Sequence, residues 1–517
     1  MNRRFAARLF YSPYARSFFA GSLAALSLPP LYFLPAFLAL GYCLYHAAIA
    51  PHWRQAALHL SLGAYGYFLI SLYWISHSLL VGKAEYIFMI PISFFGVPII
   101  VSLFWLIFGM AGYWLARRPE ARLFFIIAGL SLGEWGREFI ATGFPWNAPG
   151  LVFLVHNVPA QLAAYGGQTW LNLLAFSAAG IWPLCTLLPQ SKKPILIGSV
   201  VVIALLSVMA YHQNTQKPLS SDRPSKIVRL VQPHIPQADK WQRENRPLHL
   251  AKMARLAIDT ITEPADMIIL PESAFAGDYH LYEGLVGDVV AQISTPHQQK
   301  GGAGHVIMGA LRFDEDDKLR NSALLYEARF YEPGKNNPVI YDKTHLVPFG
   351  EYVPWRFIPF IDAIAGPLDF HKGKAVYTVP LEGIGHSLIL ICYEAIFPQL
   401  VARADQRPDI LINMTNDAWF GHTAGPYQHL AQTRMTAISY GIGMLRVANT
   451  GISAAFDAKG RTLVQIPLGQ AGFRDVRLPA PMPASYFAKF GLALFFIFTS
   501  LLVICGLTLD RFHRNRQ

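Results

Sequence analysis

The chain runs to 517 residues, 53% of them apolar and 15% charged, with a mean hydropathy of +0.31 and a formal charge of +11. This composition excludes a disordered or collagen-like chain and an ordinary soluble enzyme, and it points to a membrane protein of two or three domains. Residues 212–485 hold 27 Lys/Arg and 27 Asp/Glu against 16 and 5 elsewhere, so the basic excess lies between apolar segments and not on a folded nucleic-acid-reading surface.

Apolar stretches near or beyond the ~20 residues that cross a bilayer occupy about 17–28, 31–50, 55–80, 86–115, 123–141, 158–188, 194–211 and 488–509. They predict a membrane all-α bundle of about eight helices. The first stretch is short, and Arg3-Arg4 ahead of it also fits a signal peptide; apolar character resumes directly after Ser27-Leu28-Pro29-Pro30, which favours a retained helix. Lys and Arg mark the cytoplasmic loops. Arg3, Arg4, Arg8, Arg16, Arg54, Arg117, Arg118, Arg122, Lys192, Lys193, Arg511, Arg514 and Arg516 fall on one side of an eight-span topology, and Lys83, Arg137 and Lys489 on the other. Both termini are then cytoplasmic. Glu134, Arg137 and Glu138 read as a Glu–Arg pair at the outer end of the fifth span. The loop Gly143-Phe144-Pro145-Trp146-Asn147 fits an aromatic-belt residue or a helix break beside a substrate path.

The domain boundaries follow: 1–211 with seven spans, 212–485 as a globular block on the non-cytoplasmic side, and 486–517 with the eighth span and a basic tail. Residues 212–225 are a polar linker. Candidate strands are 227–231, 267–270, 306–309, 323–326, 339–341, 388–391 and 410–413, with helices at 243–262, 281–294 and 426–442. Runs such as Met267–Leu270 and Leu388–Ile391 do not alternate, as strands buried on both faces should not. The block is an α/β layered domain, and Asp314–Asp317 is a solvated turn.

Three of these strands end in a reactive residue: Pro271-Glu272-Ser273, Asp342-Lys343 and Cys392-Tyr393-Glu394. Sites in α/β sheets gather at the carboxyl ends of strands. A thiol needs a base to become a thiolate, a carboxylate can serve, and an ammonium favours the thiolate and later the oxyanion. Singly, a Cys at a strand end is more often a small core residue, and a Glu or Lys there a solvated one; the coincidence of the three carries the reading. Cys43, Cys185 and Cys505 lie in spans, so Cys392 has no disulfide partner within the block and is a candidate reactive thiol. The 17 His show neither H-E-x-x-H nor a Cys/His cluster, so neither metal nor cofactor is expected. Gly301-Gly302-Ala303-Gly304 lacks the Lys-Ser/Thr of a phosphate loop and reads as a turn.

Glu272, Lys343 and Cys392 resemble the Glu–Lys–Cys set of the nitrilase (carbon–nitrogen hydrolase) superfamily. Two longer motifs, Tyr341–Glu351 and Asn416-Asp417-Ala418-Trp419-Phe420-Gly421 with Gly425-Pro426-Tyr427-Gln428-His429, sit between helices on both sides. Together they resemble the apolipoprotein N-acyltransferase family over essentially the whole chain. The resemblance implies an α-β-β-α sandwich in the periplasm, on a multi-pass base in the bacterial inner membrane. It implies that Cys392 takes an acyl chain from a phospholipid, typically phosphatidylethanolamine, and passes it to the amine of a diacylglyceryl-cysteine on an apolipoprotein. In this scheme Glu272 is the base, Lys343 and the N–H after Cys392 hold the oxyanion, and Glu351 is a second essential carboxylate. Tyr393 and Glu394 flank the nucleophile, Trp241 lies on an arm at the site's entrance, and Trp419 supports substrate binding. Gln232-Pro233-His234-Ile235 and Tyr440-Gly441 depart from the family pattern. Residues 353–370, apolar and interrupted by proline, are expected to form a lid that guides the acyl chain and excludes water. Two rivals remain at this stage. A membrane-tethered amidase would use the same triad with water as acceptor, and a transporter or lipid-binding protein would use none of it.

Overall fold

Residues 12–81, 84–219, 225–330, 337–354 and 369–511 are described by a computed structural model. The lid expected at 353–370 therefore lies, from 355 to 368, outside the described residues. The chain separates into two units, Met1–Gln216 with Ser485–Gln517, and Lys217–Ala484.

The first unit is helical: α1 (Pro13–Ala24), α2 (Leu40–Ile49), α3 (Trp53–Ser71), α4 (Ile90–Leu115), α5 (Pro119–Gly136), α6 (Ala163–Leu187), α7 (Lys192–Thr215) and the C-terminal helix Ala493–Arg511. Among the described residues, four segments are long and apolar enough to cross a membrane: Ile87–Leu115, Ala163–Leu187, Pro189–Thr215 and Ala493–Arg511. A fifth is the pair Trp53–Ser71 and Tyr73–Val81, bent by 48° at a break. The stretch 55–80, expected as one span, is thus two helical pieces meeting at Leu72. Helix α1 has only 12 residues, and α5 carries Glu120, Arg122 and Glu134 in its 18, so neither qualifies by apolarity alone. Ile92, Ile99 and Ile100 on α4 and Ile197, Val200 and Val208 on α7 are exposed, as helices facing hydrocarbon should be. Small residues let the backbones approach: a methyl group on Gly21 of α1 would collide with the Gly63 carbonyl of α3. Glu134 and Arg137 form a pair, as expected, but inside the bundle and not at its rim. Arg137 Nη2 donates to Glu134 Oε2 at 2.7 Å and to the Trp146 carbonyl at 3.1 Å, and Trp105 Nε1 donates to Glu134 Oε1 at 2.5 Å. These bonds replace water, which is what lets both charges be buried.

Among its described residues the second unit has thirteen strands: β1 (Ile227–Gln232), β2 (Met267–Ile269), β3 (Phe275–Asp278), β4 (His305–Phe313), β5 (Leu319–Glu327), β6 (Val339–Asp342), β7 (Val379–Leu381), β8 (Gly385–Ile391), β9 (Ile410–Thr415), β10 (Gly443–Ala448), β11 (Ser453–Phe456), β12 (Thr462–Ile466) and β13 (Gly472–Arg477). One sheet has the order β13-β1-β2-β4-β5-β6 with β3 beside β4, and the other β12-β11-β10-β9-β8-β7. Each has three parallel strands at its centre, β1-β2-β4 and β8-β9-β10. Alternate residues divide between two cores. Met267, Ile269 and Ile307 meet Ile389, Ile391, Ile412 and Met414 between the sheets. Ile268, Leu270, Val306 and Met308 pack instead under α8 (Arg246–Ile258) and α9 (Glu283–Gln298), with Met253, Ala257, Val290 and Ile293. On the far side α10 (Gly425–Tyr440) covers the second sheet, where Thr436 Oγ1 donates to the Ala395 carbonyl at 3.0 Å. The layers are α-β-β-α. Strand β6 is antiparallel to β5 and β5 to β4, so β6 runs in the same sense as β2 and its carboxyl end lies at the same edge.

Candidate active site

Three strand ends deliver the reactive groups. Glu272 follows β2, Lys343 follows β6 and Cys392 follows β8. All three are buried, at 7%, 1% and 9% exposure. The local backbone explains how they reach one place. Cys392 has φ +54° and Ser273 φ +47°, left-handed conformations that cost a non-glycine residue of order 1 kcal/mol or more and are held by their surroundings. At Glu272 the surroundings include β4. A methyl group on Gly309 would sit 2.7 Å from Glu272 Cα and 2.5 Å from Ser273 N, so only glycine lets the two strands close to this distance. At Cys392 the carbonyl is held from below, by Asn413 Nδ2 at 3.3 Å and His429 Nε2 at 3.2 Å.

The charged groups form a connected set. Lys343 Nζ lies 2.8 Å from Glu351 Oε1 and 3.8 Å from Glu272 Oε1. Asn321 Nδ2 donates to both carboxylates, at 2.8 Å to Glu272 and 3.0 Å to Glu351. Glu351 Oε2 also accepts the Val347 N–H at 2.8 Å. Glu394 ties two of the strand ends together: Oε1 accepts from Thr344 N, Thr344 Oγ1 and His345 N, and Oε2 from Ile391 N. Tyr393 packs edge-on against Phe397, with ring centroids 4.9 Å apart.

Burial pushes the Cys392 thiol up to about 12, with Glu272 adding to the rise and Lys343 opposing it. Burial also holds the Glu272 carboxyl above its usual range; Lys343 opposes this, but Glu351 reinforces it, and the lysine is closer to Glu351 than to Glu272. Burial works against the Lys343 charge, yet Glu351, Glu272 and Cys392 together keep its pKa above the ordinary lysine value. The site therefore couples a protonated thiol, a carboxylate with raised proton affinity and a permanent cation. A proton can pass between the first two while the third stabilises whichever anion forms.

Trp241 and Trp419 are exposed, at 43% and 40%. Below Cys392 a second buried set contains Asp417, His429 and Arg446. Arg446 Nη2 donates to Asp417 Oδ2 at 2.6 Å, and His429 Nδ1 lies 2.9 Å from Asp417 Oδ1. Two site residues escaped the sequence reading. Asn321 belongs to β5, expected only from 323 to 326, and the strand's polar first half carried no apolar signal. Lys240 was visible only as the neighbour of Trp241; its Nζ turns inward and donates to the Glu272 carbonyl at 3.1 Å. Among the described residues no group of three or more His, Cys, Asp or Glu could hold a metal ion.

The sandwich has the nitrilase-like fold, and a family model described as carbon–nitrogen hydrolase matches residues 227–480. A second family model, the apolipoprotein N-acyltransferase N-terminal domain, matches residues 20–181. Among curated relatives, the apolipoprotein N-acyltransferase of Rickettsia prowazekii is 31% identical over 93% of this chain and 96% of its own length. That of Rickettsia typhi is 31% identical over 94% and 96%, and that of Rhodopseudomonas palustris 32% identical over 83% and 81%. The chain belongs to the apolipoprotein N-acyltransferase family. It is an acyltransferase that carries a nitrilase-like unit together with apolar helices suited to a bacterial membrane.

Proposed function

We propose that the protein transfers an acyl chain from a phospholipid, through a thioester on Cys392, to the amine of a diacylglyceryl-cysteine at an apolipoprotein N-terminus. The observation that carries the reading is the convergence of Glu272, Lys343 and Cys392 from three strand ends into one buried, charge-coupled pocket. Glu272 takes the thiol proton. The thiolate attacks the ester carbonyl, and Lys343 holds the oxyanion. Collapse of the tetrahedral adduct expels the lysophospholipid alkoxide, which receives the proton from Glu272. In the second half the acceptor amine attacks the thioester, Glu272 takes a proton from it, and the departing thiolate regains that proton while an amide forms. Glu351 supports this cycle by orienting Lys343, and Glu394 by joining the Lys343 and Cys392 turns. Tyr393, Trp241 and Trp419 line the approach of the substrates.

We further assign eight spans, with both termini cytoplasmic and the 212–485 block periplasmic at the inner membrane. The charge bias of the loops supports this orientation, and the apolar helices support the span count in part. The rival amidase reading shares the pocket but leaves residues 20–181, which match the acyltransferase N-terminal domain, without a role.

The test is an intact-mass measurement of purified protein incubated in detergent with phosphatidylethanolamine and no acceptor, with Cys392→Ala as control. An acyl adduct that hydroxylamine removes, and that the control lacks, is the expected result. Hydrolysis of small amides without any adduct would replace the proposal with the amidase.

A further inference from the structure

We propose that Lys240 is a positioning residue of the acyl-transfer site: its ammonium holds the Glu272 carbonyl and brings a second positive charge to the pocket that Glu272 and Cys392 share. The proposal rests on the reading of Glu272 as the base and Cys392 as the nucleophile.

Lys240 ends the short turn Gln237–Lys240 that follows β1. The turn is fixed to the site's own loops. Gln237 Oε1 accepts from Asn416 Nδ2 at 2.9 Å, and Asn449 exchanges hydrogen bonds with both the N–H and the carbonyl of Ile235, at 3.0 Å each. So anchored, it leaves Trp241 exposed at 43% and buries the lysine beside it to 2%. The bond at 3.1 Å from Nζ to the Glu272 carbonyl falls on the peptide that joins Glu272 to Ser273, the residue at φ +47°. The opposite side of that turn is closed by β4, whose Gly309 N–H donates to the Pro271 carbonyl at 3.1 Å. The catalytic carboxylate thus stands on a strained turn clamped from two sides, with Lys240 as one clamp.

The charge needs a separate reason. Burying an ammonium costs several kcal/mol unless an anion answers it, and a neutral amide would satisfy a carbonyl at lower cost. Burial outweighs the pull of Glu272 and Cys392 and brings Lys240 down to about 8. Charged and titratable groups face the pair from every packed element. Lys240 meets Glu272, Cys392 and His249 of α8. Cys392 meets Glu272, Lys343 and, from the turn that follows β9, Asp417. A cation in this position favours whichever of Glu272 and Cys392 is ionised, and so lowers the cost of forming the thiolate.

The experiment uses full-length protein in detergent and follows alkylation of Cys392 by iodoacetamide across neutral to alkaline pH, beside the kcat and KM of the acylation step. Cys392→Ala gives the background from Cys43, Cys185 and Cys505. Lys240→Met is expected to slow alkylation most near neutral pH, where Lys240 still holds its proton, and so to move the profile to higher pH. It should also lower kcat roughly 10- to 100-fold, the loss of one charge-assisted hydrogen bond, with KM within about twofold. Lys240→Arg should restore the profile. Lys240→Gln, which keeps a donor without the charge, should recover part of kcat and leave the profile displaced. A wild-type profile and kcat in Lys240→Met would overturn the proposal. If that variant does not fold, identical profiles in the Gln and Arg variants would overturn it equally. Alkylation needs no acyl donor, so failure of the phospholipid reading would show separately, as a missing adduct in the unsubstituted protein.

Discussion

Cys392, the proposed nucleophile, is held in its protonated, unreactive form. With the thiol pushed up to about 12, the thiolate exists only after a proton has moved to Glu272, so the ionisation of Glu272 governs the acid side of the rate profile. The sign follows from its surroundings. A carboxyl held above its usual range becomes a base only as pH rises through that raised value, which places the acid limb of acylation above the ordinary carboxylate region near 4.3. Glu351 contributes to the elevation. Glu351→Gln should therefore shift the limb to lower pH and, because Lys343 loses its partner at 2.8 Å, lower kcat about 10- to 100-fold. Rates of acyl-adduct formation against pH check both effects; a limb that moves upward would refute the assignment of Glu272 as the base.

At the scale of the elements, the site depends on how closely strands approach and on what lies beneath them. Gly309→Ala places a methyl group 2.5 Å from Ser273 N and 2.7 Å from Glu272 Cα. The turn must move, so acylation should fall about 100-fold or more, with a smaller change in melting temperature than a core truncation gives. Arg446 and Asp417 are both fully buried beneath Cys392. Burial opposes the Asp417 charge, yet Arg446 and His429 hold its carboxyl below the usual range. Its stabilising contribution is present above the unfolded aspartate value and is lost only as pH falls through the lower folded one. Arg446→Met should cost about 3–5 kcal/mol, as an uncompensated buried charge does, and chemical denaturation at neutral pH measures it.

The elements also show what a sequence can and cannot display. The strands β1, β2, β8 and β9 stood out because buried central strands are continuous apolar runs, whereas β6, an antiparallel edge strand, showed only as the short run Val339-Ile340-Tyr341 ahead of Asp342-Lys343. β11 (Ser453–Phe456) is built of small residues with no period, and β13 carries Arg474, Asp475 and Arg477 on an edge, so neither gave a signal. The candidate triad could be picked out because strand ends concentrate chemistry. Asn321 and Lys240 could not, because their roles come from neighbours about 30 to 50 positions away in the chain.

On the scale of the whole molecule, composition divides the chain into an apolar part and a charge-balanced part, since hydropathy follows solvent. It did not report the 48° break in the stretch 55–80, because a bend at Leu72 changes geometry without changing apolarity. The proposed topology has a direct check. Protease added to intact spheroplasts should cleave within the 212–485 block, and a tag after Arg511 should be reached only after lysis; the reverse pattern would invert the orientation. On that proposed outer side, peroxide is the hazard for an unpaired sulfur, and its attack requires both access and a thiolate. The burial and the raised proton affinity of Cys392 limit both. The burial that slows peroxide is then the same burial that, under the proposed function, would shield a thioester from water.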